Sequence, residues 1–487
     1  MASANSSGNP PVRLPLAFSA DQRGYSNTLD AKIVNGYVEK DTEGIFKVHK
    51  RESFESINAP TTSGAGRGIF IWKGNIYTIV NNVLYQNGAL LSNLANSLQP
   101  AYWFNTTLGT PSFLYFSNGT YGYTYNGATV AQITDPNYPA ATVPGSAYLD
   151  GTLYVLDSQA RIWGSGGYPF VPNTPTAWNA LNVIQAQVEP DLGVAIAKQL
   201  IYVIVLKQWT TEVFYDAASA TGSALLPVSN AKQPYGCLYP YSVQSVDDVL
   251  YWITSNRAGE ARAVMMAGLQ CQIISTAAVD RFLNTVFVNS SWNTRTNGHT
   301  FVGFQCVNIL SGAASTLVYD IEQQHWAFWA NSLGVGLPIS NCGTGEGVLQ
   351  TVPTLFQDAS NGNVYNIIGG SGAISPFQGD LFGYSGSPSA TVMDIITPPF
   401  DGGARLKKVL SKLRVVADRN SSGTLMIRWS DDDYKTWSSW RSMDLTQAQP
   451  EISNLGTFVM RAFQIRHKSP TFCRIQAIEL ELLLGTL

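Results

Sequence analysis

The sequence predicts an all-β protein: a β-propeller of about six or seven blades followed by a C-terminal antiparallel β-sandwich. Short β-branched and aromatic runs alternate with Gly- and Asn-containing turns along most of the chain. Charged residues are only 13% of 487, whereas 43 residues are Gly. Near residue 390 the runs become longer and alternate strictly between apolar and polar residues. We therefore predict an arm at 1–60, the propeller at 61–389 and the sandwich at 390–487.

The N-terminal arm is polar over about its first 15 residues and then carries a basic cluster, Lys47, Lys50 and Arg51. Such a cluster is usually a solvated face, and a docking strand is the alternative. The N-terminus lacks a basic segment followed by an apolar core, and no run approaches the ~20 apolar residues of a membrane span. We expect a soluble protein without a cleaved signal peptide.

The predicted propeller is clearest in residues 190–217. Three apolar runs, 194–196, 200–206 and 211–215, are separated by polar breaks too short for a helix, so they predict consecutive antiparallel strands. The same pattern recurs on both sides of this segment, often with Asn-Gly or Asp-Gly turns, which tolerate positive φ. The other units are predicted at 68–88, 111–133, 145–166, 242–268, 299–329 and 353–368. A pair of β-sandwiches is the alternative architecture.

The C-terminal part has the most regular alternation in the chain, with a period of two residues. Basic residues cluster at its start, and we predict that Arg405, Lys407 and Lys408, like Lys47, Lys50 and Arg51, contact partner proteins. The segment 430–437 is similar to the Asp-box turn of sialidase-like propellers, with Tyr434 at the position of the usual Gly. We predict a structural role for Asp432 and Trp437 in this turn.

The sequence contains no HExxH, GxSxG or P-loop motif, and no GxGxxG after a strand. We interpret His49, His299, His325 and His467 as turn or surface residues. A formal net charge of -3 disfavours a sequence-independent grip on DNA phosphates. Five dispersed cysteines without CxxC pairs are typical of buried thiols in a reducing cytoplasm. We expect no enzymatic activity, no cofactor and no metal.

A carbohydrate-binding or sialidase-like propeller is the alternative function, because carboxylates from distant blades can meet in a pocket. A sialidase also needs converging arginines, and the candidates are Arg161, Arg257, Arg262, Arg281 and Arg295. Recurring aromatic residues could stack on sugars, although at strand spacing they are more often core residues. These aromatic residues include Trp72, Tyr77, Tyr85, Tyr115, Tyr121, Tyr123, Tyr125 and Trp163. A scaffold that binds a protein partner outside any virus is a third possibility.

Three segments resemble the tail hub or nozzle proteins of short-tailed bacteriophages, also described as packaged-DNA stabilisation proteins. The first is Asn35-Gly36-Tyr37 with the basic stretch that follows it at 47–51. The second combines Pro190-Asp191, an apolar strand and the segment 209–215, WTTEVFY. The third is the C-terminal segment 430–441, followed by 461–470 and a final apolar strand. The likeness in order and spacing covers most of the chain.

The resemblance implies a structural virion protein that forms a ring, most often a homohexamer, below the portal and adaptor at the head–tail connector. Such a nozzle extends the DNA channel, retains packaged genome until ejection, and anchors a plug or needle and tail fibres or spikes. Double-stranded DNA would pass through it without sequence-specific binding. The resemblance places the protein in the virion tail, after assembly in the host cytoplasm.

Overall fold

The structure is a computed structural model in which strands dominate the described residues. These are 11–16, 18, 20, 30–51, 54–58, 62, 64–96, 101–108, 111–167, 170–219, 222–330, 355–357, 363–367, 391–403, 405–419, 423–469 and 471–484. The chain divides into two compact units. The terminal unit comprises Met1–Glu55, Ser315–Gly336 and Ile368–Leu487, and the central unit comprises Ser56–Ala314 and Leu337–Ile367.

The strands are numbered in chain order. Before residue 190 they are β1 (Val12–Arg13), β2 (Lys32–Val34), β3 (Gly36–Lys40), β4 (Phe46–Lys50), β5 (Phe54–Asn58), β6 (Gly66–Trp72), β7 (Asn75–Val80), β8 (Val83–Gln86), β9 (Ala89–Asn93), β10 (Trp103–Thr106), β11 (Leu114–Ser117), β12 (Gly122–Tyr125), β13 (Val130–Gln132), β14 (Ala147–Leu149), β15 (Thr152–Leu156), β16 (Arg161–Ser165) and β17 (Trp178–Gln185). The next strands, up to residue 330, are β18 (Gly193–Gln199), β19 (Tyr202–Lys207), β20 (Thr211–Asp216), β21 (Leu225–Pro227), β22 (Gln244–Val246), β23 (Val249–Ser255), β24 (Ala261–Ala267), β25 (Gln270–Ile273), β26 (Val286–Thr296), β27 (His299–Asn308), β28 (Ala314–Asp320) and β29 (His325–Trp329). A short 3₁₀ helix (Pro240–Ser242) and the helix α1 (Ala277–Leu283) lie among these strands. The remaining strands are β30 (Leu355–Gln357), β31 (Val364–Ile367), β32 (Met393–Ile396), β33 (Lys408–Ala417), β34 (Thr424–Ser430), β35 (Arg441–Asp444), β36 (Glu451–Ser453), β37 (Thr457–Phe458), β38 (Ala462–His467) and β39 (Arg474–Leu484).

The central unit repeats one supersecondary element. Within its described residues, five four-stranded sheets follow one another: β6–β9, β10–β13, β14–β17, β18–β21 and β22–β25. Every strand in these sheets pairs antiparallel with its chain neighbour, as a propeller blade requires. The hairpins β26–β27 and β30–β31 extend the series. The predicted β-propeller architecture therefore agrees with the strand pairing.

The segment that first indicated the repeat, 190–217, forms β18, β19 and β20 as predicted. One boundary was wrong, because Leu200 and Ile201 form the turn between β18 and β19 instead of starting the second strand. Their apolar side chains have strand-like character in the sequence, yet both are exposed and Leu200 adopts a positive φ of 52°. The turn therefore breaks the usual correspondence between apolar residues and burial.

Adjacent blades pack through aromatic and aliphatic side chains. The rings of Phe70, Phe104 and Phe116 lie in sequence at centroid distances of 5.4 and 5.8 Å, so they join the first two blades. The third and fourth blades approach so closely that a Cβ atom on Gly145 would clash with the Ile196 carbonyl oxygen. Most of the aromatic residues proposed for sugar stacking are buried, namely Trp72, Tyr77, Tyr85, Tyr115, Tyr123 and Tyr125. Trp72 and Tyr77 of the first blade pack against Tyr125 of the second blade, with ring centroids 5.8 Å apart in both pairs.

The terminal unit contains two sheets that share one apolar core. The first has the order β3-β4-β39-β33-β36, with β1 on β39 and β37 on β33. The second contains β28-β29-β2-β32-β38-β34-β35. Their common core includes Ile33, Val38, Leu413, Ile465 and Ile478. That this unit forms a β-sandwich, and that boundaries lie at residues 60 and 389, remain predictions.

Several side chains differ from the expectation of a surface position. All four histidines lie in strands, and His49, His299 and His467 are buried, so the turn or surface interpretation was wrong. The packing of the sheets places these three rings in the interior, which local sequence does not reveal. Cys237, Cys306 and Cys473 are buried, Cys271 is half-buried, and Cys342 lies outside the described residues. Among the helices that the structure describes, none is long and apolar enough to cross a membrane.

Candidate functional site

The three segments that carry the family resemblance each contain a defined polar cluster. The first lies in the terminal unit, where Asn35 follows β2 with a positive φ of 53°. Its backbone N–H donates to the Phe328 carbonyl oxygen at 2.8 Å, and its side-chain amide donates to the Val392 carbonyl oxygen at 2.9 Å. A Cβ atom on Gly36 would lie 2.9 Å from the His49 carbonyl oxygen, so the sequence Asn-Gly fits this close approach.

Arg51 completes this cluster from the end of β4. Its Nε donates to Asn35 Oδ1 at 2.8 Å, and its guanidinium donates to the Ala330 carbonyl oxygen at 3.0 Å. The guanidinium carbon also lies 5.3 Å from the centroid of the Trp329 ring. Only 1% of Arg51 is exposed. In this structure its charge therefore holds β2, β4 and β29 together.

The other two basic residues of the arm differ in accessibility. Lys47 is half-buried and forms an ion pair with Asp41 at 3.1 Å. Lys50 is buried, and its Nζ donates to the Ser469 carbonyl oxygen at 2.7 Å and lies 3.4 Å from His467 Nδ1. Lys47 is therefore the most accessible of the three for a partner.

His467 is a candidate pH-sensitive residue, because burial and the nearby Lys50 charge lower its pKa from 6.5 to about 3. Below about pH 6.5 the His467 ring binds a proton in the unfolded chain but not in the folded chain. The free energy of unfolding therefore decreases as the pH is lowered from about 6.5 to about 3. We expect the free energy of unfolding to decrease by about 2 kcal/mol between pH 7 and pH 5 from this residue alone.

Urea unfolding of the wild type and of His467→Gln at pH 7 and pH 5 tests this expectation. The glutamine variant fills a similar volume and does not titrate, so its stability should depend less on pH. Equal pH dependence of the two proteins would contradict the assignment to His467. The measurement needs no partner protein, since the effect arises inside one chain.

The second cluster lies in the fourth blade and contains an almost fully buried cation. Lys207 Nζ lies 2.7 Å from Asp191 Oδ1 and 2.6 Å from Glu212 Oε1, and all three side chains are at most 4% exposed. It also donates to the Glu189 carbonyl oxygen at 2.6 Å. Asp191 Oδ2 in turn accepts hydrogen bonds from the backbone N–H groups of Trp209 and Thr210. The Pro-Asp and Thr-Glu pairs thus fix the start of β18 and the turn before β20.

The segments that carry the family resemblance include Asp191 and Glu212, but the resemblance assigns no role to Lys207. Lys207 ends the apolar run of β19, and a lysine at the end of a strand normally reaches solvent. The sequence feature that could have indicated a buried Lys207 is the pair of carboxylates, Asp191 and Glu212, on the two sides of this run, because a buried ammonium needs charged partners. The cluster is a structural junction within the blade.

A shallow cavity of about 320 Å³ lies beside this junction, at the end of the blades that carries the β19–β20 turn. Trp209, Leu192 and Leu238 supply apolar surface, and Gln208 and Ser255 supply polar atoms. At the nearby surface, Glu189 pairs with Lys232 at 2.7 Å and with Arg257 at 3.2 Å. The cavity contains an aromatic wall and neutral polar groups but no paired catalytic carboxylates among its lining residues.

The basic residues predicted at the C-terminal part divide into two sets. Arg405 and Lys407 are exposed. Lys408 is buried, its Nζ donates to the Leu406 carbonyl oxygen at 2.7 Å, and it lies 5.5 Å from the Phe458 ring centroid. Together with Lys47, the two exposed residues are the accessible candidates for partner contact, and the role itself remains a prediction.

The third cluster is the Asp-box-like turn after β34. Asp432 Oδ1 accepts hydrogen bonds from the Thr436 backbone N–H at 2.9 Å and from the Ser430 hydroxyl at 2.8 Å. The Thr436 hydroxyl donates to Asp432 Oδ2, and these hydrogen bonds lower the pKa of Asp432 to about 2. Tyr434 has a φ of 64°, which explains why glycine is usual at this position. Trp437 stacks near the Arg428 guanidinium at 4.9 Å. Asp432 therefore accepts hydrogen bonds from both ends of the turn, and the structural role of Asp432 and Trp437 remains a prediction.

The arginines required by the sialidase alternative pair with different carboxylates. Arg161 lies on the third blade with Asp157, and Arg295 lies on β26 with Asp247. Arg257 and Arg262 flank the β23–β24 turn and pair with Glu189 and Glu260, respectively, and Arg281 lies on α1. The Arg257–Glu189 and Arg295–Asp247 pairs join different elements, but these arginines pair with different carboxylates and are not described around a shared one. This arrangement gives the carbohydrate-processing alternative no support.

Comparison with known proteins provides independent information. Residues 29–335 match a family model described as bacteriophage P22 Gp10, β-propeller. The computationally designed Ika8 protein has a TM-score of 0.37 and 10% identity, with 64% of this chain and 100% of that chain covered. BamB from Moraxella catarrhalis has a TM-score of 0.36 and 10% identity, with coverages of 66% and 99%. No match was found among curated protein sequences.

The matched region contains both the Asn35–Arg51 cluster and the Lys207 cluster, whereas the Asp432 turn lies beyond it. The match confirms the resemblance to phage tail proteins and the β-propeller fold that the sequence predicted. With TM-scores of 0.37 and 0.36, the similarities to solved structures carry no argument about this chain.

Proposed function

Because this chain belongs to the phage stabilisation family described as bacteriophage P22 Gp10, β-propeller, we propose that it forms the nozzle ring of a short phage tail. In this proposal, several copies attach below the portal and adaptor and extend the DNA channel. The observation that supports it most directly is the family match across 307 residues, from 29 to 335, which includes two of the three polar clusters. Membership of this family makes the chain a virion component of the tail.

The physical properties of the chain are consistent with a passive passage for DNA. A formal net charge of -3 and only 13% charged residues give little basis for holding phosphates tightly. The polar clusters described above serve to stabilise backbone junctions, and no step of bond formation or cleavage is assigned to them. We propose that the protein retains packaged genome by completing the closed tail and acts without enzymatic chemistry.

We further propose that the ring anchors a plug or needle and tail fibres or spikes, after assembly in the host cytoplasm. The accessible basic side chains of the terminal unit, Lys47, Arg405 and Lys407, are the proposed partner contacts. Lysine and arginine side chains at the edge of an interface promote association with acidic protein surfaces, and they make the association rate depend on the salt concentration. A homohexamer remains the proposed stoichiometry.

The function can be tested on genome-filled heads that carry portal and adaptor but lack this protein. We expect added protein to bind at the portal vertex as a ring in electron micrographs and to make the packaged DNA resistant to nuclease. Protein unfolded before addition is the negative control. Failure to bind the vertex, with DNA still accessible to nuclease, would contradict the proposal.

The partner contacts are tested in the same assay with Lys47→Glu. We expect slower attachment to the connector, most clearly at low ionic strength, because charge reversal removes electrostatic steering. Lys435→Glu is the matched control, since Lys435 is exposed in the same unit and is outside the predicted contact set. Equal attachment of both variants would remove Lys47 from the proposed interface.

A further inference from the structure

The turn between β18 and β19 differs from the corresponding turns of neighbouring hairpins. Those two-residue turns contain polar residues or glycine with positive φ: Lys73-Gly74, Asp150-Gly151, Asp247-Asp248 and Asn297-Gly298. Here the turn is Leu200-Ile201, with Leu200 at a φ of 52°. Leu200 is 48% exposed and Ile201 is 64% exposed. The turn therefore places two large apolar side chains in solvent at a position that normally carries turn-forming residues.

The conformation of this turn is held from the adjacent blade. The preceding residue, Gln199, is fully buried, and its side-chain amide donates to the Asp248 carbonyl oxygen at 2.9 Å and to the Met266 carbonyl oxygen at 2.6 Å. A leucine at positive φ is strained, and such strain persists where surrounding structure imposes it, often at functional positions. Strain and apolar exposure both disfavour the isolated chain, so a bound partner provides the physical reason for this sequence.

Further apolar surface continues from the turn across the fourth blade. Tyr202 is paired with Tyr215, and Tyr215 with Leu226, so these three residues form one row beside the turn. Tyr215 is 38% exposed and Leu226 is 42% exposed. We define Leu200, Ile201, Tyr215 and Leu226 as the turn patch. An exposed apolar patch of this kind on a folded domain marks a protein-binding surface.

The edge of the turn patch is acidic. Asp216 directly follows Tyr215 at the end of β20. Asp248, whose carbonyl oxygen accepts the hydrogen bond from Gln199, lies in the turn of the adjacent blade. An apolar centre with a charged edge is the usual arrangement of a protein interface. The complementary surface should therefore present an apolar side chain between cations.

Residues 405–409 of the terminal unit provide this combination. Leu406 is 41% exposed between the exposed side chains of Arg405 and Lys407. Val409 is 38% exposed, and its cross-strand partner Leu483 is 55% exposed, so they extend the apolar surface. This segment has the opposite charge to the edge of the turn patch and the same apolar character at its centre.

We propose that the turn patch of one copy binds residues 405–409 of a second copy of this chain. Leu406 packs against Leu200 and Ile201, and Arg405 and Lys407 face Asp216 and Asp248. Because the two surfaces are different, the contact is heterologous and can repeat from copy to copy around a closed ring. The inference rests on the ring arrangement proposed above and identifies the surfaces that would form it.

The first test measures self-association of the full chain by sedimentation over a concentration range up to about 100 µM, above the Kd of most specific interfaces. The variant carrying Leu200→Asn and Ile201→Gly restores ordinary turn residues. We expect at least a tenfold weaker self-association together with a melting temperature of the monomer that is about 2 °C higher, because the strain is relieved. This combination distinguishes an interface residue from one required for folding.

Leu90→Asn is the matched control, because Leu90 is 57% exposed on the outer strand of the first blade. It should leave self-association unchanged. A wild-type chain that remains monomeric over the whole range overturns the proposal, as does unchanged association of the turn variant. Loss of association in the control to the same degree would also overturn the assignment to the turn patch.

The second test exchanges the charges. Arg405→Glu with Lys407→Glu should weaken self-association at least tenfold, and adding Asp216→Lys to the same chain should restore part of it. Unchanged association after the first exchange, or no recovery after the second, overturns the proposed pairing. Binding to genome-filled heads distinguishes the proposed interface from the proposed nozzle function. If the wild type and the turn variant bind the heads equally well, only the interface is overturned. If the wild type does not bind the heads, the nozzle function is overturned.

Discussion

Replacing Lys207 with methionine is expected to lower the free energy of unfolding by about 3–5 kcal/mol. The substitution keeps most of the side-chain volume but leaves Asp191 and Glu212 buried without the ammonium that lies 2.7 and 2.6 Å from them. Two uncompensated carboxylates repel each other and have lost solvation, so the fourth blade should open first. Urea unfolding followed by tryptophan fluorescence provides the measurement.

Lys232→Met is the matched control for this prediction. Lys232 also forms an ion pair, with Glu189 at 2.7 Å, but its side chain is 39% exposed. Solvent screening makes such a pair worth about 0–1 kcal/mol, so the control should unfold almost as the wild type does. Adding Glu212→Gln to Lys207→Met should recover part of the lost stability. Similar effects of the two lysine substitutions would show that the buried cluster is not a major source of stability.

Replacing Arg51 with methionine should lower the free energy of unfolding of the terminal unit by about 3 kcal/mol. The variant removes the donors to Asn35 Oδ1 and to the Ala330 carbonyl oxygen and the stacking on Trp329. At least one buried oxygen then lacks its partner, while methionine fills much of the space. Thermal unfolding monitored by near-ultraviolet circular dichroism reports on the packing of Trp329.

The same substitution at Arg13 provides the comparison. Arg13 also belongs to the terminal unit and faces Glu479 at 3.7 Å, but its side chain is 61% exposed. We expect a change below about 1 kcal/mol for Arg13→Met. If both arginine variants unfold alike, burial of Arg51 contributes little, and Asn35 must be held by its other hydrogen bonds, to Phe328, Ala330 and Val392.

The blades of the central unit could be predicted because their determinants are local. Asp150-Gly151 and Asn118-Gly119 mark turns by their own backbone preferences, and the apolar runs between such turns have strand length. The limit appears at Leu200-Ile201, where apolar residues occupy a turn. Side-chain type alone indicated a strand there, and only the backbone conformation shows that these two residues form a turn.

The candidate site was predictable in part. The resemblance selected Asn35, Asp191 and Glu212 from the sequence, but it did not show that these residues surround buried cations. Arg51 and Lys207 are enclosed by residues that are distant in the chain, and local sequence contains no information on that enclosure. The same reason explains why Lys50 and Lys408 were expected at the surface and are buried.

The order of strands in the terminal unit has a consequence for biosynthesis. Val12 and Arg13 pair with Leu480 and Glu479, so the first described strand cannot find its partner until the last one has left the ribosome. Each four-stranded sheet of the central unit, by contrast, pairs only strands that emerge one after another. During translation, the blades can therefore form while β1 has no strand to pair with. A nascent chain stopped before residue 474 lacks β39. We expect its blades to be folded and its terminal unit to be incomplete.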